Sequence, residues 1–382
     1  MVVSKLARPA ERSAAHGPWV AFNMACMTWP ALRTQWVQYV AIPGALQRVQ
    51  ETGIAGLEAA LPGLTEKLGA VQQGRTFARE LERLQTTDVR VLTLLDADYP
   101  PILRWIPDPP PLIYVRGTLQ DDDSLALAIV GSRKPSPYGQ AVAQRFSVEL
   151  VQAGFTVVSG LARGIDYLAH HRALEAGGRT IAVLGSGINV VYPPEHRRLY
   201  EAIGTHGVVV SEFPFDTKPD RWNFPRRNRI VSGMTLGTLV VEASDKSGSL
   251  HTARHAIEQG REVFAVPGRI DVPTSHGAHA LIKRGAKLVE SLADILEELS
   301  DDVREALRQR CLVSLTPAGA DLPPDVTADE AQVLAVLSSE EMHIEALIAA
   351  SQLPAQVVAS ILLTLELRGM VRQFPGSFFA RC

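Results

Sequence analysis

The decapeptide FPRRNRIVSG, residues 224–233, places Arg226, Arg227 and Arg229 where its pattern predicts the first turn of a helix beginning near Pro225. That end of a helix already carries the positive pole of the macrodipole, so cations are disfavoured there unless something negative stands close by. Other short stretches have the composition of anion-binding loops. They are GSRKPSPYG with Ser132 and Arg133, SGLARGID with Gly160, Arg163, Gly164 and Asp166, and SDKSGSLHTA with Lys246, Ser247, Gly248, Ser249 and Thr252; Asn228 lies inside the arginine run. Glycine lets backbone N–H groups approach an oxyanion, hydroxyls add donors, and helix starts add positive potential. The chemistry on offer is phosphate binding. Neither a full G-x-G-x-x-G fingerprint nor a P-loop Gly-Lys-Ser/Thr is present, since GSGINV lacks the third glycine. The competing reading is that the glycines serve tight turns, while the arginines are solvated or pair with Glu212 or Glu242.

Such loops act together only if a scaffold brings them to one rim. Between about 124 and 299 the apolar runs LALAIV, TVVSG, TIAVLG, VVVSE, LGTLVVEAS, EVFAVPG and KLV alternate with helical patterns. Unbroken apolar strands in a repeated βα order predict a mostly parallel sheet covered on both faces, with ligands in the crevice beyond the strands' carboxyl ends. At 382 residues, 46% of them hydrophobic and 21% charged, the chain can build roughly two to three cores. The expected division is a flexible tail at 1–27, a small helical domain at 28–95, and an extended Rossmann-like α/β domain at 96–300. The helical domain, of the SAM or helix-hairpin-helix kind, is punctuated by the turns IPGA and LPGL, and the α/β domain is entered through the proline-rich crossover DADYPPILRWIPDPPPLIYVRG. A linker at 301–326 leads to a winged-helix domain at 327–382, with three helical patterns followed by two short strands around Gly376.

A net charge of -3 and a pI near 6.4 exclude a uniformly basic polymer binder, so any anion site must be a local concentration of charge. Cys26, Cys311 and Cys382 have neither disulfide-framework nor zinc-ligand spacing, which fits a reducing cytoplasm. Asn23 interrupts the apolar run WVAFNMACM, against a secretory signal, and no run reaches the roughly 18 apolar residues of a membrane span. The histidines form no carboxylate-supported set, so no metal or cofactor is expected. Trp222, Phe224, Phe213 and Phe215 surround the basic run and are candidates for stacking on bases, Phe213 and Phe215 foremost. Asp166 suits capping a helix or orienting an arginine better than catalysis. In the third tail helix Arg368, beside Glu366, is the one basic side chain, too little for reading base edges.

GSRKPSPYG, SGLARGIDYLAHHRAL, SEFPF through FPRRNRIVSG, VVEASDKSGSLHTARHA and VFAVPG together resemble the DNA-processing protein A family, DprA or Smf, over nearly the whole chain from about residue 30. The resemblance implies a cytoplasmic, homodimeric, non-enzymatic protein of natural transformation that binds and protects incoming single-stranded DNA. It further implies help in loading the RecA recombinase on that strand and in displacing single-strand-binding protein. Carried over residue by residue, it assigns Arg133, Gly160, Gly164, Asp166, Arg227, Arg229, Ser247, Ser249 and Thr252 to the site. One departure stands out: SHGAHALI has His279 where the family carries asparagine. The alternative is a Rossmann-fold nucleotide-binding or nucleotide-hydrolysing enzyme, but KSGSLHTARHA offers no glutamate before Glu258 to serve as acid or base.

Overall fold

The computed structural model describes residues 9–315, 327–337, 342–351, 353–367, 371–374 and 376–381. Two compact units emerge, one up to Leu312 and one from Val313 onward.

The first unit opens with helices α1 (Pro9–Thr28), α2 (Pro30–Val40), α3 (Ala45–Thr52), α4 (Leu64–Gln72) and α5 (Arg75–Thr86). The expected tail at 1–27 is therefore corrected. From Pro9 the chain is helical, and Trp19, Val20, Ala21, Phe22, Ala25 and Cys26 are buried in the main core. Trp19, Phe22 and Trp36 pack edge to face, with centroids 5.0 to 6.3 Å apart. Full burial of each such side chain contributes about 1.5–3 kcal/mol, which a solvated tail would forgo. Asn23 is buried as well, and its amide donates to Glu212 O at 2.9 Å.

Strand β1 (Arg90–Thr93), the short helix α6 (Pro101–Arg104) and strand β2 (Leu112–Gly117) follow, so the proline-rich crossover ends as sheet. The helical region shares its core with that sheet instead of closing a core of its own. Next come β3 (Ala126–Gly131), α7 (Pro137–Gln152), β4 (Thr156–Ser159), α8 (Ile165–Glu175), β5 (Thr180–Leu184), α9 (Arg197–His206) and β6 (Val208–Ser211). The series continues with α10 (Asn223–Gly233), β7 (Gly237–Val241), α11 (Ser249–Glu258), β8 (Glu262–Ala265), α12 (His276–Lys283), β9 (Lys287–Leu288) and α13 (Leu292–Glu297). The strand order is β1-β2-β6-β5-β4-β3-β7-β8-β9, parallel throughout except where β2 meets β1 and β6. From β3 the chain winds outward through β4, β5 and β6, then crosses back to add β7 on the other side of β3. That reversal creates a crevice beyond the carboxyl ends of β3, β4 and β7.

Helix α14 (Asp301–Leu315) corrects the first half of the expected linker: Leu307 is buried and Arg310 donates to Asp122 O at 2.8 Å. Residues 316–326 of that linker lie outside the described residues. The second unit has α15 (Ala328–Val336), β10 (Met342–His343), α16 (Ile344–Ser351), α17 (Ala355–Leu367), β11 (Val371–Phe374) and β12 (Phe378–Arg381). Three helices and a small antiparallel sheet, in the order β10-β12-β11, make a winged helix. Gly376 takes φ 87° at the hairpin turn, as a glycine can without strain, and Arg368 lies outside the described residues. No single described helix is long and apolar enough to cross a membrane.

Candidate nucleic-acid interface

A cavity of about 780 Å³ occupies the crevice at the strand reversal. Ser132, Arg133 and Lys134 reach it from the end of β3, Gly160 and Ala162 from the end of β4, and Asp166 from the first turn of α8. Arg227 and Asn228 border it from α10, and Ser247, Gly248, Ser249 and Thr252 from the start of α11. Local sequence explains how these segments are held. Ser136 caps α7 by accepting from Gly139 N at 3.1 Å, with Pro137 set in the first helical turn, and this fixes where the Arg133 loop ends. Glu242 accepts from Ser136 N at 2.7 Å and from Thr274 Oγ1 at 3.0 Å, tying that loop to the end of β7. Asn228 Nδ2 donates to Gly248 O at 3.2 Å, joining α10 to the N-terminus of α11, whose positive pole faces the cavity.

The glycine-bearing loop after β4 is clamped from behind. Leu161 sits at φ 57°, a left-handed conformation uncommon for a bulky residue, with its N–H donating to His170 Nε2 at 3.3 Å. His196 Nδ1 donates to the Leu161 carbonyl at 3.0 Å, and His170 Nδ1 meets Thr180 Oγ1 at 2.7 Å. Burial pulls His170 down to about 3, so it stays neutral and keeps Nε2 free as an acceptor. Asp166 Oδ2 accepts from Gly160 N and Ala162 N, at 3.1 and 3.3 Å. Burial pushes this carboxyl up, against the pull of the Arg227 charge and the two N–H donors. Gly164, at φ 78°, passes so close to the Arg133 loop that a Cβ there would lie 2.3 Å from Ser132 O.

The arginines of α10 divide by burial. Arg227 donates to Gly160 O at 2.6 Å and to Val183 O, and a Cβ on residue 160 would lie 2.3 Å from its guanidinium. Burial draws Arg227 down to about 10, with Asp166 as the opposing charge. Arg229 is 4% exposed and does not line the cavity; it pairs with Asp108 at 2.8 Å and with Glu212 at 2.6 Å. Arg226 also turns to Glu212, at 3.1 Å, and Arg33 of α2 binds both Glu212 and Asp108. Burial opposes the charge on Arg229, but Asp108 and Glu212 outweigh it and hold the group above the ordinary arginine value. Five charged side chains from four parts of the chain, three arginines and two carboxylates, thus pair with one another at α10.

Several expected residues stand elsewhere. Arg226 and Arg229 build this network instead of facing the cavity, and the pairing falls on Glu212, not Glu242. Arg163 is exposed but pairs with Glu195 at 2.6 Å, and Lys246 is exposed outside the cavity lining. Phe213 and Phe215 are corrected as stacking candidates, being 2% and 6% exposed and packed in the core with Phe215 against Tyr114. Burial leaves neither ring a face to offer. The aromatics at the cavity are Phe224, with the Arg133 guanidinium 5.4 Å from its centroid, and Tyr192, 5.7 Å from Phe224. His279 Nε2 lies 3.0 Å from Gly268 O and braces the turn after β8 outside the cavity. Lys134, Tyr192, Ser244 and Arg221 were missed, although Lys134 and Ser244 lie within quoted loops and Arg221 shortly before FPRRNRIVSG. Arg33 and Asp108 carry no sequence signal, because only the fold brings them to Glu212. Arg133, Lys134, Arg221 and Lys246 form no ion pair among the described residues, and no metal-holding group of His, Cys, Asp and Glu occurs among them.

Similarity to known proteins agrees with this architecture. The family model described as DNA recombination-mediator protein A matches residues 90–300, and that described as DprA winged helix domain matches residues 317–377. Protein Smf of Synechocystis sp. is 34% identical over 389 residues, 95% of this chain and 98% of that protein. Protein Smf of Escherichia coli is 43% identical over 292 residues, 75% of this chain and 76% of that one. Among solved structures, DNA processing protein A from Streptococcus pneumoniae superposes with a TM-score of 0.55 at 36% identity, covering 69% of this chain and 96% of that one. DNA processing protein A from Helicobacter pylori, solved for its single-stranded DNA binding mode, gives a TM-score of 0.50 at 27% identity, over 58% and 96%.

Proposed function

The chain belongs to the DNA recombination-mediator protein A family, DprA or Smf, and on that premise we propose that it binds single-stranded DNA along the strand-end cavity without reading its sequence. The observation that carries this is a cavity edged by cations with no carboxylate partner among the described residues, at the N-terminus of α11. Arg133 and Lys134 take phosphates, and the first turn of α11 adds its N–H groups and the hydroxyls of Ser247, Ser249 and Thr252. Phe224 and Tyr192 offer ring faces, a complement to phosphate contacts that any base can use. Arg227 shapes the floor by fixing the Gly160 loop.

In this reading the protein works in the cytoplasm as a homodimer in natural transformation. It protects incoming strands and helps RecA displace single-strand-binding protein from them. The single-stranded DNA binding mode of the Helicobacter pylori protein supports the choice of ligand. Asp166 is the one carboxylate among the described residues lining the cavity, and it is held by two backbone N–H groups, which favours binding over hydrolysis of a nucleotide.

Fluorescence anisotropy with labelled oligo-dT and a duplex of equal length, across a salt series, tests the binding. The single strand should bind more tightly, with log affinity falling by about 0.7 per phosphate contact for each decade of salt. A preference for duplex would overturn the reading. Assembly of RecA on a strand coated with single-strand-binding protein, with and without this protein, tests the loading role. Release of base or ribose phosphate from nucleoside monophosphates tests the enzymatic alternative.

A further inference from the structure

Trp222 is 71% exposed at the start of α10, with the Arg221 guanidinium 4.8 Å from its ring centroid. Its neighbours on both sides in sequence, Pro219 and Arg221 before it and Phe224 after it, line the cavity, so the indole stands at the cavity's mouth. The segment is built, not loose. Asp220 Oδ1 accepts from Trp222 N at 2.9 Å, Asp220 O accepts from Asn223 N at 3.0 Å, and Asn223 Nδ2 reaches Lys218 O at 3.4 Å. A fixed backbone therefore holds in water the largest apolar side chain available, beside the exposed Arg221 and four residues after the exposed Lys218. An indole offers a broad π-face, and nearby cations suit the phosphate that follows each base.

We propose that Trp222 is a stacking platform at the mouth of the cavity, on which one nucleobase of the bound single strand lies while Arg221 and Lys218 meet the adjoining phosphate. This rests on the single-strand reading above and extends the strand's path beyond Phe224. Phe224 lines the cavity beside Arg133 and Tyr192, whereas Trp222 takes a base that has already left it.

The test uses the full chain, oligo-dT and a duplex control, with two readouts. The first is tryptophan emission. Trp19, Trp29, Trp36 and Trp105 are the other emitters, so the signal of Trp222→Phe subtracted from that of the unaltered protein isolates position 222. That difference signal should be quenched on titration with oligo-dT. The second is affinity: Trp222→Ala should weaken oligo-dT binding about 5- to 150-fold, the range for losing one base–aromatic stack, with an unchanged salt slope and thermal midpoint. Trp222→Phe should retain most of the affinity. If Arg133→Ala weakens binding while Trp222→Ala does not and the difference signal is silent, the platform is overturned and the single-strand reading stands. If the difference signal follows protein concentration instead of DNA, Trp222 belongs to a contact between protein molecules and the proposal is overturned. If the unaltered protein fails to bind oligo-dT at all, the underlying reading falls first.

Discussion

Arg229 in α10 and Arg133 on the loop after β3 carry the same charge in opposite surroundings. Arg229 is enclosed with Arg33 and Arg226 around Glu212 and Asp108, three cations against two carboxylates, whereas Arg133 is exposed and makes no ion pair among the described residues. The buried set holds together the SEFPF turn, the crossover and the N-terminal helices, so the wall of the cavity is rigid. The exposed set leaves its charge unspent for a ligand. A run of arginines is thus no measure of a binding surface; what counts is which guanidinium already has its carboxylate. Arg227 lies between the extremes, lining the cavity yet tied to two backbone carbonyls.

The contrast breaks first on stability. Arg229→Ala should cost up to about 3–5 kcal/mol in urea unfolding, because the buried Glu212 would lose its most enclosed cation and keep only the more exposed Arg33 and Arg226. An unfolding midpoint unchanged from the parent, together with weakened DNA binding, would move Arg229 into the binding set. The loop that Arg227 clamps gives the next effect. An unfolded chain protonates His170 near the ordinary 6.5, while the folded chain resists until about 3, so stability is full above 6.5 and falls as pH drops through that window. Between those limits, down to about pH 4, the loss from this group is about 3 kcal/mol. His170→Gln, which can still accept from Leu161 N, should flatten that part of the stability profile, and an identical profile in the variant would assign the loss elsewhere.

On the exposed side the effects appear in binding instead. Arg133→Ala should leave stability within about 0.5 kcal/mol of the parent, reduce oligo-dT affinity about tenfold, and lower the salt slope by about 0.7. Lys246→Ala, outside the cavity lining, should change affinity by less than about threefold in the same assay. A larger effect for Lys246 than for Arg133 would shift the strand's path toward the loop after β7.

Most of the sheet was legible because its strands are buried on both faces and read as unbroken apolar runs; each predicted run from LALAIV to KLV became a strand. The winged helix was legible for a similar reason, three helical periods and a hairpin turn at Gly376. The first 27 residues misled because Pro, Ala and Arg at their start hide the helix, whose apolar side chains find their partners on α2, α4 and α5 and on the β1 and β2 strands of the sheet. Within the site, the loops and Arg133 were legible from glycine, hydroxyl and strand-end position. What the arginines of α10 do was not. Glu212 stood among the possible partners from the sequence, but Asp108 and the competing cation Arg33 come from distant elements, and no spacing rule reaches across such separations. Phe213 and Phe215 failed likewise, since an aromatic beside a basic run looks the same whether it faces the crevice or the core.

The central claim is that the rim cations bind and the α10 network builds. Its most direct test is the salt slope of oligo-dT affinity measured side by side for Arg133→Ala and Arg229→Lys, the second chosen to keep a charge in the network. The slope should drop by about 0.7 for Arg133→Ala and stay at the parent value for Arg229→Lys. A slope that falls for Arg229→Lys and holds for Arg133→Ala would contradict the account.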